Sequence, residues 1–268
     1  LRDITFGQYY ESNSLLHKTD PRFKIVILIL LIVFIFLAKN AFSLGFAAAA
    51  MAAVMLISRV PLRLYLKNMK AILPVLLFTA VINLFYGDGG RVLFSVWKLT
   101  VNTEGVYRAV FMAVRIILLI LISSALTYTT TPNDLTDAIE SLLSPLKYVG
   151  LKSAVHTLAM MMTIALRFIP TLTEEAEKIM NAQKARGADL ENGRLSERVK
   201  ALIPILIPLL ISSVRRAYEL AEAMECRCYN GGEGRTRMKQ LRAEPRDYAV
   251  FACALVICGG IITLNIIF

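Results

Sequence analysis

The sequence lacks most of what an enzyme or a metalloprotein displays. Only two histidines, His17 and His156, occur in 268 residues, and neither sits in an H-E-x-x-H pair. No G-x-S-x-G nucleophile elbow is present. There are four cysteines. Cys226 and Cys228 have no nearby histidine or further cysteine to complete a tetrahedral zinc set, and Cys253 and Cys258 lie in an apolar stretch. Neither a bound metal nor a disulfide framework is expected, and no cofactor is implied. No G-x-x-x-x-G-K-[ST] phosphate loop occurs; Gly150-Leu151-Lys152-Ser153 has the wrong spacing and no glycine loop before it. The polar stretch from Leu1 to Asp20 lacks the apolar core and small residues of a cleavable leader, so the first apolar block is expected to be retained.

Apolar residue is abundant. It makes up 56% of the chain, with a mean hydropathy of +0.59, and it is concentrated in blocks. Blocks of about 17–20 apolar residues are the signature of membrane-spanning helices. Five are expected to span: 25–38, 41–57, 71–86, 109–126 and 248–268. The first and third are short, with Lys24, Lys39 and Lys70 placed to snorkel at their ends. Basic residues before, between and after the first four spans number 4, 1, 4, 3 and 17. That alternation predicts a cytoplasmic N-terminus, although the three in the glycine-rich loop 87–108 blunt it.

Residues 128–247 hold seventeen basic and fifteen acidic residues, so their charge is nearly balanced. A nucleic-acid surface would be strongly basic, and none is expected; paired charges on a folded cytoplasmic face fit better. The segment opens with Thr131-Pro132-Asn133-Asp134, a helix start. Leu135, Ile139, Leu142, Leu143 and Leu146 then form one apolar stripe, which predicts an amphipathic helix stopping near 145–150. Two further apolar runs, 154–169 and 201–211, are interrupted or ended by Pro170 and by Pro204 and Pro208; they read as partly embedded helices that emerge into the cytoplasm, with a pair of short spans as the alternative.

Each run leads into a charged helical stretch and then into a triplet of small residues around arginine. One triplet is Ala185-Arg186-Gly187 and the other is Cys226-Arg227-Cys228. Superimposing the arginines aligns Glu174 with Arg215 and Glu175 with Arg216, opposite charges at matched depth that would suit two crossing helices. A guanidinium offers a planar fork of donors and keeps its charge, while small neighbours let a partner's backbone approach. The competing reading is that Arg186 and Arg227 merely serve their own helix C-termini.

These features together resemble the transmembrane coupling component of energy-coupling factor transporters. Gly7-Gln8-Tyr9, Asn13-Ser14, Leu16-His17 and Asp20-Pro21-Arg22 are similar to that family's N-terminal signature. Thr131-Pro132-Asn133-Asp134-Leu135 and Leu142-Leu143-Ser144-Pro145-Leu146 match a second motif, and Lys184-Ala185-Arg186-Gly187-Ala188 a third. The second arm resembles the family's second arginine triplet, with Cys226 and Cys228 where alanine and glycine are simplest. The resemblance implies two ABC-type ATPases as partners, a small substrate-binding membrane protein alongside, and docking of the ATPases at Arg186 and Arg227. Ala185, Gly187, Cys226 and Cys228 would be the close-approach neighbours.

The expectation is thus an all-α, polytopic membrane protein of about five spans, with a cytoplasmic coupling region of long crossing amphipathic helices. Its parts are a four-span segment 1–127, coupling helices 128–247 and a last span 248–268. It would itself be non-catalytic, the coupling subunit of an ATP-driven importer of vitamins or related micronutrients in the cell membrane. Two rivals remain: a membrane-embedded enzyme using Asp134, Asp137 or His156, and a stand-alone secondary transporter. Arg115, inside the fourth span, is expected to snorkel or to pair with a polar group rather than to act on a substrate.

Overall fold

The computed structural model describes residues 9–85, 92–96, 99–145, 152–188, 195–231 and 241–267. In chain order the elements are α1 (Leu15–Lys18), α2 (Pro21–Leu37), α3 (Ala41–Ser58), α4 (Leu62–Phe85), β1 (Val92–Val96), β2 (Leu99–Asn102), α5 (Thr103–Thr129), α6 (Pro132–Leu142), α7 (Lys152–Ala185), α8 (Leu195–Cys226) and α9 (Pro245–Ile267). The chain divides into two units, residues 7–138 with 240–268, and residues 139–239.

In the first unit α5 packs against α2, α3 and α4, and α9 packs on α2 and α3. The contact core includes Ile35, Leu44, Met51, Leu118, Ile122 and Ile261, each at most 7% exposed. Small residues let these helices approach closely, as membrane helices require in the absence of a hydrophobic drive between them. At Gly105, near the start of α5, a Cβ would stand 2.6 Å from the Leu84 carbonyl oxygen of α4. Outward faces carry large apolar side chains such as Phe78, 66% exposed, as lipid contact demands.

Backbone groups at helix ends are served by side chains from distant helices. Asp20 caps α2, accepting the Arg22 N–H at 2.9 Å, with Pro21 in the first turn. At the other end of α2, Asn265 of α9 donates to Leu37 O at 2.9 Å and accepts the Lys39 N–H at 3.1 Å. Arg115 of α5 donates to Ala38 O, with Phe111 4.8 Å beneath its guanidinium. Arg115 therefore pairs with a helix-end carbonyl.

Three details depart from the sequence reading. Among the described residues six helices, rather than five, are long and apolar enough to cross a membrane: α3, α4, α5, α9 and most of α7 and α8. α2, with 17 residues, sits at the lower limit for a span. The difference arises because Pro170, Pro204 and Pro208 lie inside continuous helices instead of ending them. Proline removes one N–H and strains one turn, and a helix with enough favourable residues on both sides carries that cost. Lastly, part of the loop 87–108 is a two-stranded antiparallel hairpin pairing Val96 with Leu99 and Val92 with Asn102. Val92, Phe94 and Val96, with Thr100 and Val101, are the signal for it, since β-branched and aromatic residues favour strands. Asp88, Gly89 and Gly90 of the same loop lie outside the described residues, as do Gly150 and Leu151.

Candidate functional site

The second unit is dominated by α7 and α8, of 34 and 32 residues. Both end in the same way. In α7 the Ala188 N–H donates to Gln183 O at 3.0 Å and the Gly187 N–H to Lys184 O at 3.0 Å. In α8 the Tyr229 N–H donates to Met224 O at 3.0 Å and the Cys228 N–H to Glu225 O at 2.8 Å. Each pair of bonds is a Schellman motif, which requires a left-handed residue just past the cap. Gly187 takes that position with φ +90° and Cys228 with φ +54°. Arg186 and Arg227 are thereby the cap residues of their helices, superimposable by role as well as by sequence.

Both arginines are exposed, as are Ala185, Gly187, Cys226 and Cys228. Neither guanidinium has a hydrogen-bond or ion-pair partner among the described residues. The helix ends are closed by backbone N–H groups, so the arginine side chains are not needed to close them.

Of the four charged residues aligned by the internal repeat, two meet. Arg216 Nη2 donates to Glu175 Oε2 at 2.6 Å, and both side chains are mostly shielded from water. Glu174 and Arg215 remain exposed. The sequence reading missed Ser212, which is buried and donates to Glu175 Oε1 at 2.5 Å. Its signal was its place one turn before Arg216, on the same face of α8.

A second contact sets the direction of the pair. Tyr229, just past α8, donates its hydroxyl to Met160 Sδ, near the start of α7, at 2.9 Å. Going forward along α8 from Ser212 thus means going backward along α7 from Glu175. The helices pass in antiparallel sense, and Arg186 and Arg227 lie on opposite sides of the contact. Glu175 and Arg216 stand equally many residues before their own tips, so each arginine is roughly 16 Å along its helix from the ion pair at 1.5 Å per residue. Between the ion pair and Tyr229 the helices enclose a cleft of about 340 Å³, walled by Phe168 and Leu172 on one side and Ala217, Leu220 and Met224 on the other.

His156 Nδ1 lies 3.6 Å from Glu140 Oε1, which ties α6 to the start of α7. Asp134 works in the cap of α6, accepting from Thr131 Oγ1 at 2.8 Å. Among the described residues no group of three His, Cys, Asp or Glu side chains could hold a metal ion.

The N-terminal motif belongs to the first unit and forms a polar knot there; Gly7 and Gln8 lie outside the described residues. Asp247, 2% exposed, accepts the N–H of Asp20 at 2.9 Å and that of Glu244 at 2.7 Å. Arg22 donates to Leu241 O at 2.6 Å, and Lys24 to Thr129 O at 2.9 Å. His17 Nε2–H donates to Tyr10 O at 2.8 Å, which leaves Nδ1 to accept from Ser14 Oγ at 2.6 Å. Burial holds the His17 imidazole below its ordinary pKa; the Tyr10 carbonyl opposes that shift, and the nearby Lys24 adds to it. These residues join the starts of α2 and α9 to the end of α5.

Fold and site together define a multi-pass α-helical membrane protein with an antiparallel pair of long helices that end in two exposed arginines. Residues 12–238 match the family described as cobalt transport protein (CbiQ). The energy-coupling factor transporter transmembrane protein EcfT of Ruminiclostridium cellulolyticum is 49% identical over 268 residues, covering 100% of this chain and 99% of its own. The protein of the same name from Clostridium kluyveri is 49% identical over 265 residues (98% and 97%), and that of Bacillus subtilis 42% over 256 residues (96% of each). The chain belongs to this family of energy-coupling factor transporter transmembrane proteins.

Proposed function

We propose that the chain is the non-catalytic coupling subunit of an ATP-driven importer, with Arg186 and Arg227 as the docking points for two ABC-type ATPase subunits. One observation carries this reading: two exposed, unpartnered guanidinium groups cap identically built helix ends on opposite sides of one crossing. A pair of like sites facing apart suits a partner that is itself a pair. Arginine can grip a carboxylate or a row of carbonyls with two donors at once. Gly187 and Cys228 leave room for the partner's backbone beside it.

Coupling then follows from the geometry. Glu175, Ser212 and Arg216 form the polar contact that fixes α7 against α8, and Tyr229 on Met160 is the second contact of the pair. When the ATPases approach or separate, the docked tips move with them and the packed pair of helices shifts as a result. The apolar cleft beside it gives the rods space to close. A small substrate-binding membrane protein lying alongside receives this motion and reorients. Its cargo is a vitamin or related micronutrient, a reading supported by the N-terminal motif. ATP hydrolysis belongs to the partners, since the chain has no phosphate loop of its own. The site of action is the cell membrane, with the N-terminus in the cytoplasm, as the basic residues before α2 and between α3 and α4 favour.

The test is co-purification. The tagged chain should bring two ATPase subunits and a small membrane protein with it. Arg186→Glu with Arg227→Glu should release the ATPases while the chain itself stays folded, because substitutions at exposed positions usually change stability by about 0.5 kcal/mol or less. ATPases that remain bound to the double variant would refute the docking assignment.

A further inference from the structure

A cavity of about 450 Å³ lies in the first unit, where α1, the end of α3 and the start of α9 come together. Its wall has two chemistries. Lys18, Arg59 and Arg246 supply cations, and Asn13 adds an amide. Leu15, Leu56 and Ile57 line the same cavity and are 61%, 78% and 48% exposed. The side chains of Lys18 and Arg59 have no ion-pair or hydrogen-bond partner among the described residues, whereas Arg246 shares its guanidinium with Glu244 at 2.5 Å. Two uncompensated positive charges thus face the space.

We infer that this cavity binds the phosphate headgroup of an anionic phospholipid. The charge calls for an anion, and the exposed leucines and isoleucine say which kind. A soluble phosphate would leave them in water, whereas a lipid places glycerol and acyl chain against them. The depth agrees. Tyr248, in the first turn of α9 two residues after Arg246, is 59% exposed and packs edge-on against Phe23 at 5.3 Å. An exposed tyrosine at a helix end marks headgroup level. Basic pockets between helices at that level are where acidic headgroups settle. Arg59 reinforces the assignment: it closes α3 with φ +55°, a backbone position where glycine or asparagine is usual.

The experiment measures lipid binding to the purified full chain in neutral detergent by native mass spectrometry. Phosphatidylglycerol, phosphatidylcholine and inorganic phosphate are added separately and in competition. Phosphatidylglycerol should bind at least about tenfold tighter than phosphatidylcholine, and Lys18→Gln with Arg59→Gln should remove about tenfold to thirtyfold of that affinity. Arg63→Gln, on the first turn of α4 and outside the cavity wall, should leave it unchanged. Three results would each overturn the assignment: an undiminished lipid preference in the double variant, an equal loss in Arg63→Gln, or displacement of the lipid by equimolar inorganic phosphate. If the double variant fails to fold, single Lys18→Gln, on the exposed side of α1, replaces it: weaker phosphatidylglycerol binding supports the assignment and unchanged binding overturns it.

Discussion

Arg216 of α8 holds Glu175 of α7 at 2.6 Å, and each stands equally far along its helix from a terminal arginine. In the proposed coupling this pair fixes α7 against α8. Swapping charges tests it: Glu175→Arg alone, or Arg216→Glu alone, sets like charges face to face and should abolish most transport. The two together should restore much of it. Uptake of the proposed micronutrient cargo in cells is the readout, and a double variant no better than the singles would mean that the contact is incidental.

Cys228 occupies a left-handed position with φ +54°, whereas its counterpart Gly187 meets the same demand without a Cβ. A side chain in that conformation costs about 1–2 kcal/mol. Cys228→Gly should therefore raise the unfolding midpoint, and Gly187→Ala should lower it by a similar amount. At about 2–4 °C per kcal/mol for a chain of this size, both shifts are measurable by differential scanning fluorimetry in detergent.

Gly105 has no room for a side chain. An added Cβ would meet the Leu84 carbonyl oxygen at 2.6 Å, and the obstacle is backbone, which cannot swing aside. Gly105→Ala should cost about 1–3 kcal/mol by overpacking, with Gly105→Leu worse still. Gly45, whose Cβ position has nothing within 4 Å, supplies the control: Gly45→Ala should be neutral or mildly stabilising.

His17 is held neutral by burial, with its pKa below the ordinary value of 6.5. The unfolded chain binds that proton more readily than the folded one. Its contribution is therefore fully present above pH 6.5 and is lost as pH falls towards the folded-state pKa. Between pH 8 and pH 5 the wild type should lose more thermal stability than His17→Gln. Equal losses in the two proteins would show that this imidazole takes no part.

The primary structure by itself determined whatever depends on neighbours in the chain. Apolar blocks separated by charged turns specify membrane helices, because lipid admits few other backbone conformations. Thr131 and Asp134 specify the start of α6, and the small residues around Arg186 and Arg227 mark the two helix ends, since caps are built from adjacent residues. Tertiary structure alone decided what depends on residues far apart. Periodicity along one helix does not say that Tyr229 reaches Met160, and so it left the direction of α8 against α7 undetermined. Nor could it assign Arg115 to the end of α2, bring Asp247 to Asp20, or gather Lys18, Arg59 and Arg246 round one cavity. Proline was misleading for the same reason: a local penalty at Pro170, Pro204 and Pro208 is set against cooperative hydrogen bonding along whole helices, and the longer-range gain outweighs it.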